Sequence, residues 1–243
     1  MTETKIIEVK DLVKKFNSFV ANDHLTFDVY EGEIFGFLGA NGAGKTTAIR
    51  ILCGLSTPTS GFVNVAGFDA HTQTENIKKN IGYMSQKFSL YNDLTVYENI
   101  QFYAGIYGLR RAEIKKRAEE LFKKLGIDKE RNMLIGDIPL GWKQKLAFSI
   151  AIFHRPKIVF LDEPTGGVDP VTRRQFWDLI YDAANDGITV FVTTHYMDEA
   201  EYCNRVSIMV DGRIAALDTP DGLKRQFSAA NMDEVFYKLA RGK

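Results

Sequence analysis

Gly39-Ala40-Asn41-Gly42-Ala43-Gly44-Lys45-Thr46 constrains this chain's fold more than any other stretch. Gly39 and Gly44 stand with four residues between them, and Lys and Thr follow at once. Glycines let backbone N–H groups turn inward and crowd a phosphate with no Cβ in the way. Lys45 adds a mobile positive charge for terminal phosphates, and the Thr46 hydroxyl can ligate Mg2+. Gly39, Asn41, Gly42, Ala43, Gly44, Lys45, Thr46 and Thr47 are therefore the candidate nucleotide-binding set. Context separates this loop from an ordinary Gly-rich turn. Ile34-Phe35-Gly36-Phe37-Leu38 predicts a buried strand before it, and Thr47-Ala48-Ile49-Arg50-Ile51-Leu52 a helix after it. The helix start contributes free N–H groups and a dipole that favour an anion. Strand, loop and helix in this order predict a bound nucleoside triphosphate.

The rest of the chain repeats the alternation. Ile6 to Val9 and Leu25 to Tyr30 read as strands, with Lys14-Lys15-Phe16-Asn17 a turn-like stretch between them. Phe62 to Val65 and Ile81 to Met84 are further strands, with a helix from Thr72 to Asn80. From Thr95 to Lys124 the apolar residues fall at helical spacing, which predicts a helical insertion with a polar exterior. A helix over Ile138 to Phe153 leads to the apolar strand Ile158-Val159-Phe160-Leu161. Pro170 suits the first turn of the next helix, to about Ala184. Thr189 to Thr193 is a third buried strand, followed by a helix over Met197 to Cys203, a strand over Arg205 to Val210 and an Asp211-Gly212 hairpin turn. Apolar strands alternating with helices predict an α/β fold, a largely parallel sheet with helices on both faces.

Polar residues stand just past the strand ends: Gly39, Gln86, Asp162 and His195. Ligands bind at that edge of such sheets, so four distant stretches converge on one predicted site. Asp162 after four apolar residues can hold Mg2+, usually through water. Glu163 beside it can polarise an attacking water as general base. His195 ends a parallel strand beside the other two, which points it at phosphate rather than at bulk solvent. Gln86 and Phe16 are ambiguous locally, since a Gln after a strand and an aromatic near a turn are equally well packing residues.

Composition narrows the partners. Lys plus Arg and Asp plus Glu both number 31, giving zero formal net charge, so no overall field recruits the chain to nucleic acid. Cys53 and Cys203 show no metal-ligand spacing, suit a reducing compartment and read as small core residues. The polar start is not a secretory signal. No apolar run nears the roughly 20 residues that span a bilayer, so a membrane role would pass through a partner.

As a set, these residues resemble the nucleotide-binding subunit of an ATP-binding-cassette (ABC) transporter, over nearly the whole chain and in the family's order. Gly39 to Thr46 matches Walker A, Gln86 the Q-loop, and Leu161-Asp162-Glu163-Pro164-Thr165 Walker B with its catalytic glutamate. Gly166-Gly167-Val168-Asp169 matches the D-loop, His195 the switch histidine, and Phe16 the aromatic that stacks on adenine. The resemblance implies a P-loop NTPase (RecA-like) core with a small antiparallel β subdomain and an inserted helical subdomain. It implies an ABC ATP-binding domain over residues 1–218, its helical subdomain at about 90–155, and a C-terminal extension at 219–243. ATP and Mg2+ are the implied ligands. Glu163, His195 and Gln86 take the catalytic roles, Thr46, Gln86 and Asp162 the metal, and Phe16 and Gly141 join the nucleotide contacts. Glu98-Asn99-Ile100, Tyr103, Gly108 and the tail Asp233-Glu234-Val235-Phe236 look like type-2 ABC exporters of drugs, antibiotics or polysaccharides. Such a subunit dimerises around ATP and drives a separate integral-membrane permease, on the cytoplasmic side of the inner (plasma) membrane. The face around Gln86, with Phe88, Leu90, Tyr91, Phe102 and Tyr103, is the expected dock for a permease helix, about half of those side chains being core.

One segment departs from the family. The signature Leu-Ser-Gly-Gly-Gln is replaced by Ile138-Pro139-Leu140-Gly141-Trp142, followed by Lys143-Gln144-Lys145. In the family this segment faces the ATP held by the other subunit. Gly141 remains, but Pro139 has neither hydroxyl nor N–H to give. The second cassette is thus either an identical chain or a paralogue with an intact signature. Two alternatives stay in view: a soluble non-transport ABC ATPase, and a regulatory cassette with weak hydrolysis.

Overall fold

The computed structural model describes residues 4–86 and 90–241, with side chains as far as residue 239. The phosphate-loop strand β3 (Ile34–Gly39) lies inside a six-stranded sheet of order β10-β9-β3-β8-β7-β6. Its other members are β6 (Ile81–Met84), β7 (Ile158–Asp162), β8 (Thr189–Thr194), β9 (Arg205–Val210) and β10 (Arg213–Asp218). All neighbours pair in parallel except β10, which returns antiparallel to β9 through a tight turn. A second, antiparallel sheet of order β2-β1-β4-β5 is built from β1 (Lys5–Phe16), β2 (Phe19–Tyr30), β4 (Ser60–Val65) and β5 (Phe68–Asp69).

Strand alternation splits the apolar residues of the central strands between two cores. Phe35, Phe37, Phe160 and Phe191 face the antiparallel sheet and α1 (Lys45–Leu52), and with Phe27 they form a continuous ring cluster. Leu38, Val159, Leu161, Val190 and Val192 face the other way, onto α5 (Leu140–Ala151) and α6 (Pro170–Asn185). α7 (Pro220–Gln226) and α8 (Met232–Arg241) close that second core with Leu223, Met232 and Val235. The expected helices on both faces are thus found in altered form, because on one face the antiparallel sheet shares the cover with α1.

The expected helical insertion consists of two helices. α3 (Val96–Ile106) and α4 (Arg111–Leu125) are separated where Gly108 takes a left-handed φ of 78°. Val96, Ile100, Ile114, Ala118 and Phe122 pack with Leu146 and Ile150 of α5 into a third core. Thr95 and Glu98 form a reciprocal capping box. Asn99 is fully buried and bonds Tyr91, Leu94 and Thr95, so it ties down the loop before α3. α2 (Thr74–Asn80) precedes β6.

Several boundaries differ from the sequence reading, and β2 starts at Phe19 rather than Leu25. Lys14, Lys15 and Phe16 belong to β1, whose alternation is blurred by register shifts at Val9/Leu12, Leu12/Lys14 and Lys14/Lys15; the turn is confined to Asn17 and Ser18. Ile138 and Pro139 are extended, so α5 begins at Leu140 with Pro139 as its N-cap. Met197–Tyr202 is a 3-10 segment rather than an α-helix.

Candidate functional site

The phosphate loop is shaped from behind as much as from its own sequence. Gly44 has φ 100°, and a Cβ there would lie 2.4 Å from the Ala21 carbonyl oxygen and 2.8 Å from Asn22 Nδ2. Both strain and clash therefore demand glycine. Asn22, fully buried on β2, donates Nδ2 to the Gly44 carbonyl at 3.1 Å, and Gly212 N–H donates to Ala43 O at 3.1 Å. Lys45 is only 4% exposed. Its ammonium donates to Gly39 O at 2.7 Å and Ala40 O at 3.2 Å, and lies 3.4 Å from Glu163 Oε1. In front of the loop a cleft of about 460 Å³ is walled by Asn41, Gly42, Gly44, Lys45, Thr46 and Thr47 on one side and Gln86 and Glu163 on the other.

The ends of β7 and β8 supply the acidic wall. Thr193 Oγ1 donates to Asp162 Oδ1 at 2.7 Å, and Thr46 Oγ1 reaches the same oxygen at 3.5 Å. Burial pushes the Asp162 carboxyl above the usual range, and the Glu163 charge pushes the same way, while the Thr193 and Thr46 bonds oppose them. A divalent cation would hold that buried carboxylate ionised. The hydroxyl of Thr46, the carboxylate of Asp162 and the amide oxygen of Gln86 are the hard oxygen donors Mg2+ prefers. Glu163 is held with a left-handed φ of 49°, a conformation costing about 1–3 kcal/mol for a non-glycine residue. Its N–H is anchored on Thr193, 3.1 Å from the carbonyl and 3.0 Å from the hydroxyl. Its carboxylate is met from three directions: Lys45 on Oε1, Gln86 Nε2 donating to Oε2 at 3.0 Å, and His195 Nδ1 at 3.1 Å from Oε2.

Four stretches expected to converge thus do so around one carboxylate. Of the expected nucleotide contacts, Gly39 and Ala43 lie within the loop but off the cleft wall, and Phe16 and Gly141 stand apart from both. Phe16 is 51% exposed with the Lys14 ammonium over its ring, and its cross-strand partner Phe19 lines the cleft instead. Gly141 packs against α6, where a Cβ would meet Thr172 Cγ2 at 2.7 Å. Phe19, Asn22 and Thr193 went unread in the sequence. Thr193 carried a signal, as a polar residue ending an apolar strand. Asn22 and Phe19 carried none, because their neighbours lie far along the chain.

The segment replacing the signature is built differently. Leu140 and Gly141 occupy the first turn of α5, where N–H groups have no intrahelical acceptor. The Pro139 carbonyl already takes the N–H groups of Trp142 and Lys143, at 3.0 and 3.1 Å. Leu140 is 43% exposed. Gln144 donates Nε2 to Gly166 O at 3.2 Å, joining α5 to the 166–169 turn. Asp169 ends that turn as N-cap of α6, accepting from the N–H groups of Val171 and Thr172.

A family model described as ABC transporter matches residues 22–166. Over 241 residues the chain is 48% identical to the "Probable multidrug ABC transporter ATP-binding protein YbhF" of Escherichia coli (strain K12), an alignment covering 96% of this chain and 41% of that protein. It is 40% identical over 222 residues to the human "Retinal-specific phospholipid-transporting ATPase ABCA4", covering 90% of this chain and 10% of the relative. The chain therefore spans about two fifths of the bacterial relative's length and a tenth of the human one's. Among solved structures, an ATP-binding subunit of an ABC transporter superposes with a TM-score of 0.87 at 29% identity, covering 97% of this chain and all of the other. A dimeric post-hydrolysis state of an ATP-binding cassette bound to ADP and Pi superposes at 0.79 with 26% identity, covering 88% of this chain and 98% of the other.

Proposed function

The chain belongs to the ABC transporter family of ATP-binding domains, and from that premise we propose that it is the ATP-hydrolysing motor of an exporter, working against a membrane permease. The observation that carries the mechanism is the meeting of Lys45, Gln86 and His195 on the Glu163 carboxylate. Phosphates entering the cradle offer Lys45 a stronger partner than two neutral carbonyls. Glu163 is then left to His195, Gln86 and the attacking water, which it polarises as general base. His195 orients that carboxylate and faces the terminal phosphate. Thr46, Asp162 and Gln86 would hold Mg2+, which when bound neutralises charge on the transferring phosphate. Phe16 and Phe19, paired at the tip of the β1–β2 hairpin, supply aromatic surface for the adenine.

The permease side is the groove that Tyr83 lines, three residues before Gln86. Leu55, Tyr103, Ile106 and Tyr107 line a cleft of about 670 Å³, continuous through Tyr103 with exposed Phe102 and Tyr91. Leu90 is buried, so it is core, and Phe88 lies outside the described residues. A permease helix seated there would press on the chain just before Gln86, whose amide touches Glu163. Among the described residues no helix is long and apolar enough to cross a membrane. The chain would be held peripherally, on the cytoplasmic side of the inner (plasma) membrane, by a permease of the type-2 exporter kind. In this reading residues 1–218 form the ATP-binding domain, with the helical subdomain at about 90–155 and an extension at 219–243.

A second cassette completes the motor, and the altered signature favours one that differs from this chain. Pro139 offers no hydroxyl, and Leu140 puts an isobutyl group where backbone should approach phosphate. The half-site of Lys45, Asp162, Glu163 and His195 is complete, so the partner's signature fires it; the site this chain's own segment completes binds ATP and turns over slowly. The motor reading is tested by ATPase assay of the assembled transporter. Hydrolysis abolished by Glu163→Gln with ATP binding kept supports it; full activity in the Glu163→Gln protein overturns it.

A further inference from the structure

Glu199 has zero exposure, in the 3-10 segment that follows His195. A buried carboxylate survives only where other groups answer it. Thr165 Oγ1 donates to Glu199 Oε1 at 2.6 Å, and the Arg173 guanidinium, on α6, approaches that oxygen with Nε at 3.7 Å. Arg173 also lies over the Tyr196 ring, its Cζ 4.0 Å from the ring centre, and reaches Asp198 Oδ2 at 3.4 Å. The Tyr196 ring in turn leans on the His195 imidazole, centroids 4.2 Å apart and planes 36° apart. A continuous path of contacts therefore runs from Thr165 through Glu199, Arg173 and Tyr196 to the imidazole that meets Glu163.

The far end of this path is fixed to α5. Gly166, next to Thr165, takes the Gln144 side chain on its carbonyl, and Leu140 Cδ2 packs beside Gly167. The 165–167 turn is thus gripped on one side by the start of α5 and on the other by Glu199. Among the described residues, the side-chain hydrogen bond and ion pair of Glu199 go to Thr165 and Arg173, outside the phosphate cradle. Removal of Glu199 bears on where the imidazole sits rather than on how the nucleotide is held.

We propose that Glu199 is a positioning residue, which through Thr165 and Arg173 ties the 165–167 turn to His195 and so couples the start of α5 to the hydrolytic histidine of the same chain. This rests on the motor reading above, in which the start of α5 faces a second cassette's nucleotide. Displacement of α5 by that nucleotide shifts the turn, and the buried carboxylate passes the shift to Arg173, Tyr196 and His195.

The test is steady-state ATPase of the assembled transporter carrying Glu199→Gln, which keeps the shape and an acceptor oxygen but drops the charge that draws Arg173. The expected result is kcat lowered about tenfold with KM for ATP within about twofold of wild type and an unchanged melting temperature. Thr165→Val reproduces the loss, and Thr165→Ser, which keeps the hydroxyl, restores the rate. Unchanged kcat in Glu199→Gln overturns the proposal. So does a parallel fall of kcat, ATP affinity and melting temperature, or a Thr165→Ser protein as slow as Thr165→Val. The wild-type control separates the two levels: a wild-type assembly that hydrolyses no ATP overturns the motor reading, whereas wild-type hydrolysis indifferent to Glu199→Gln overturns only the positioning role.

Discussion

At the carboxyl edge of the parallel sheet, each working side chain is held by another: Asp162 by Thr193, Glu163 by Gln86 and His195, Lys45 by two carbonyls and Glu163. At the start of α5 the chain offers a proline cap, a half-exposed leucine and a glycine closely packed on Thr172. In the proposed motor, one region serves the nucleotide this chain holds and the other the nucleotide its partner holds. The difference teaches that the two halves of such a motor answer to separate chemical demands. A general base must stay within hydrogen-bond reach of its water and cannot drift. A helix start keeps a dipole and free N–H groups whatever residue stands before it, so it weakens by degrees.

The largest effect that would break this contrast lies in the first region. Glu163→Gln should slow hydrolysis by about 100-fold or more while sparing ATP binding, measured by phosphate release and by nucleotide titration. A small effect would place the general base elsewhere and remove the asymmetry between the regions.

The second region gives the next effect. A hydrogen bond to a charged oxygen is worth about 1.5–3 kcal/mol, roughly 10–150-fold in rate. Pro139→Ser with Leu140→Gly should recover a rate in that range at the site completed by this chain's α5. An unchanged rate would make the present segment an alternative working form, sufficient through Gly141 and the helix dipole.

Removing both hairpin rings, Phe16→Ala with Phe19→Ala, should weaken ATP binding by about 1 kcal/mol, roughly fivefold. The single variants apportion the loss between the two rings. Unchanged affinity in the double variant would assign both to the bare surface and confine nucleotide recognition to the phosphate cradle.

The far end of α5 gives the mildest effect. His154 follows α5, stacks on Tyr107 at 3.6 Å and bonds the Ile81 carbonyl at 3.0 Å. Burial lowers its pKa from 6.5 to about 4, against the bond to Ile81. The folded state therefore binds fewer protons than the unfolded state between those values. Stability is full above pH 6.5 and falls as the pH drops towards 4. Hydrogen exchange should report α3 and α5 loosening first over that range. His154→Gln should flatten the dependence, and an unaltered pH profile in that variant would acquit the histidine.

The sequence was most legible where one residue type had one physical reason to be present. Apolar runs ending abruptly at Gly39, Asp162 and His195 marked strand ends, and parallel topology carried them to one edge. β1 was under-read because its bulges, with Asp11 left-handed at φ 49°, broke the period on which strand reading depends. Asn22, Phe19 and Glu199 were unreadable for a different cause. Each owes its place to groups distant in sequence, and a buried glutamate in an acidic, helix-like stretch looks like any solvated one. The helix expected over Ile138 to Phe153 would hold Pro139 in its first turn; Pro139 caps the helix instead, and α5 begins at Leu140.

In the proposed motor an intact hydrolytic half-site and a weakened signature segment coexist in this chain, so the two nucleotides of the working assembly have different fates. Single-turnover hydrolysis in the reconstituted assembly tests this most directly, with ATP bound at both sites before free nucleotide is removed. Two phases of similar amplitude are expected, the slow one about 10–150-fold behind the fast. One exponential that consumes all the bound ATP would contradict it.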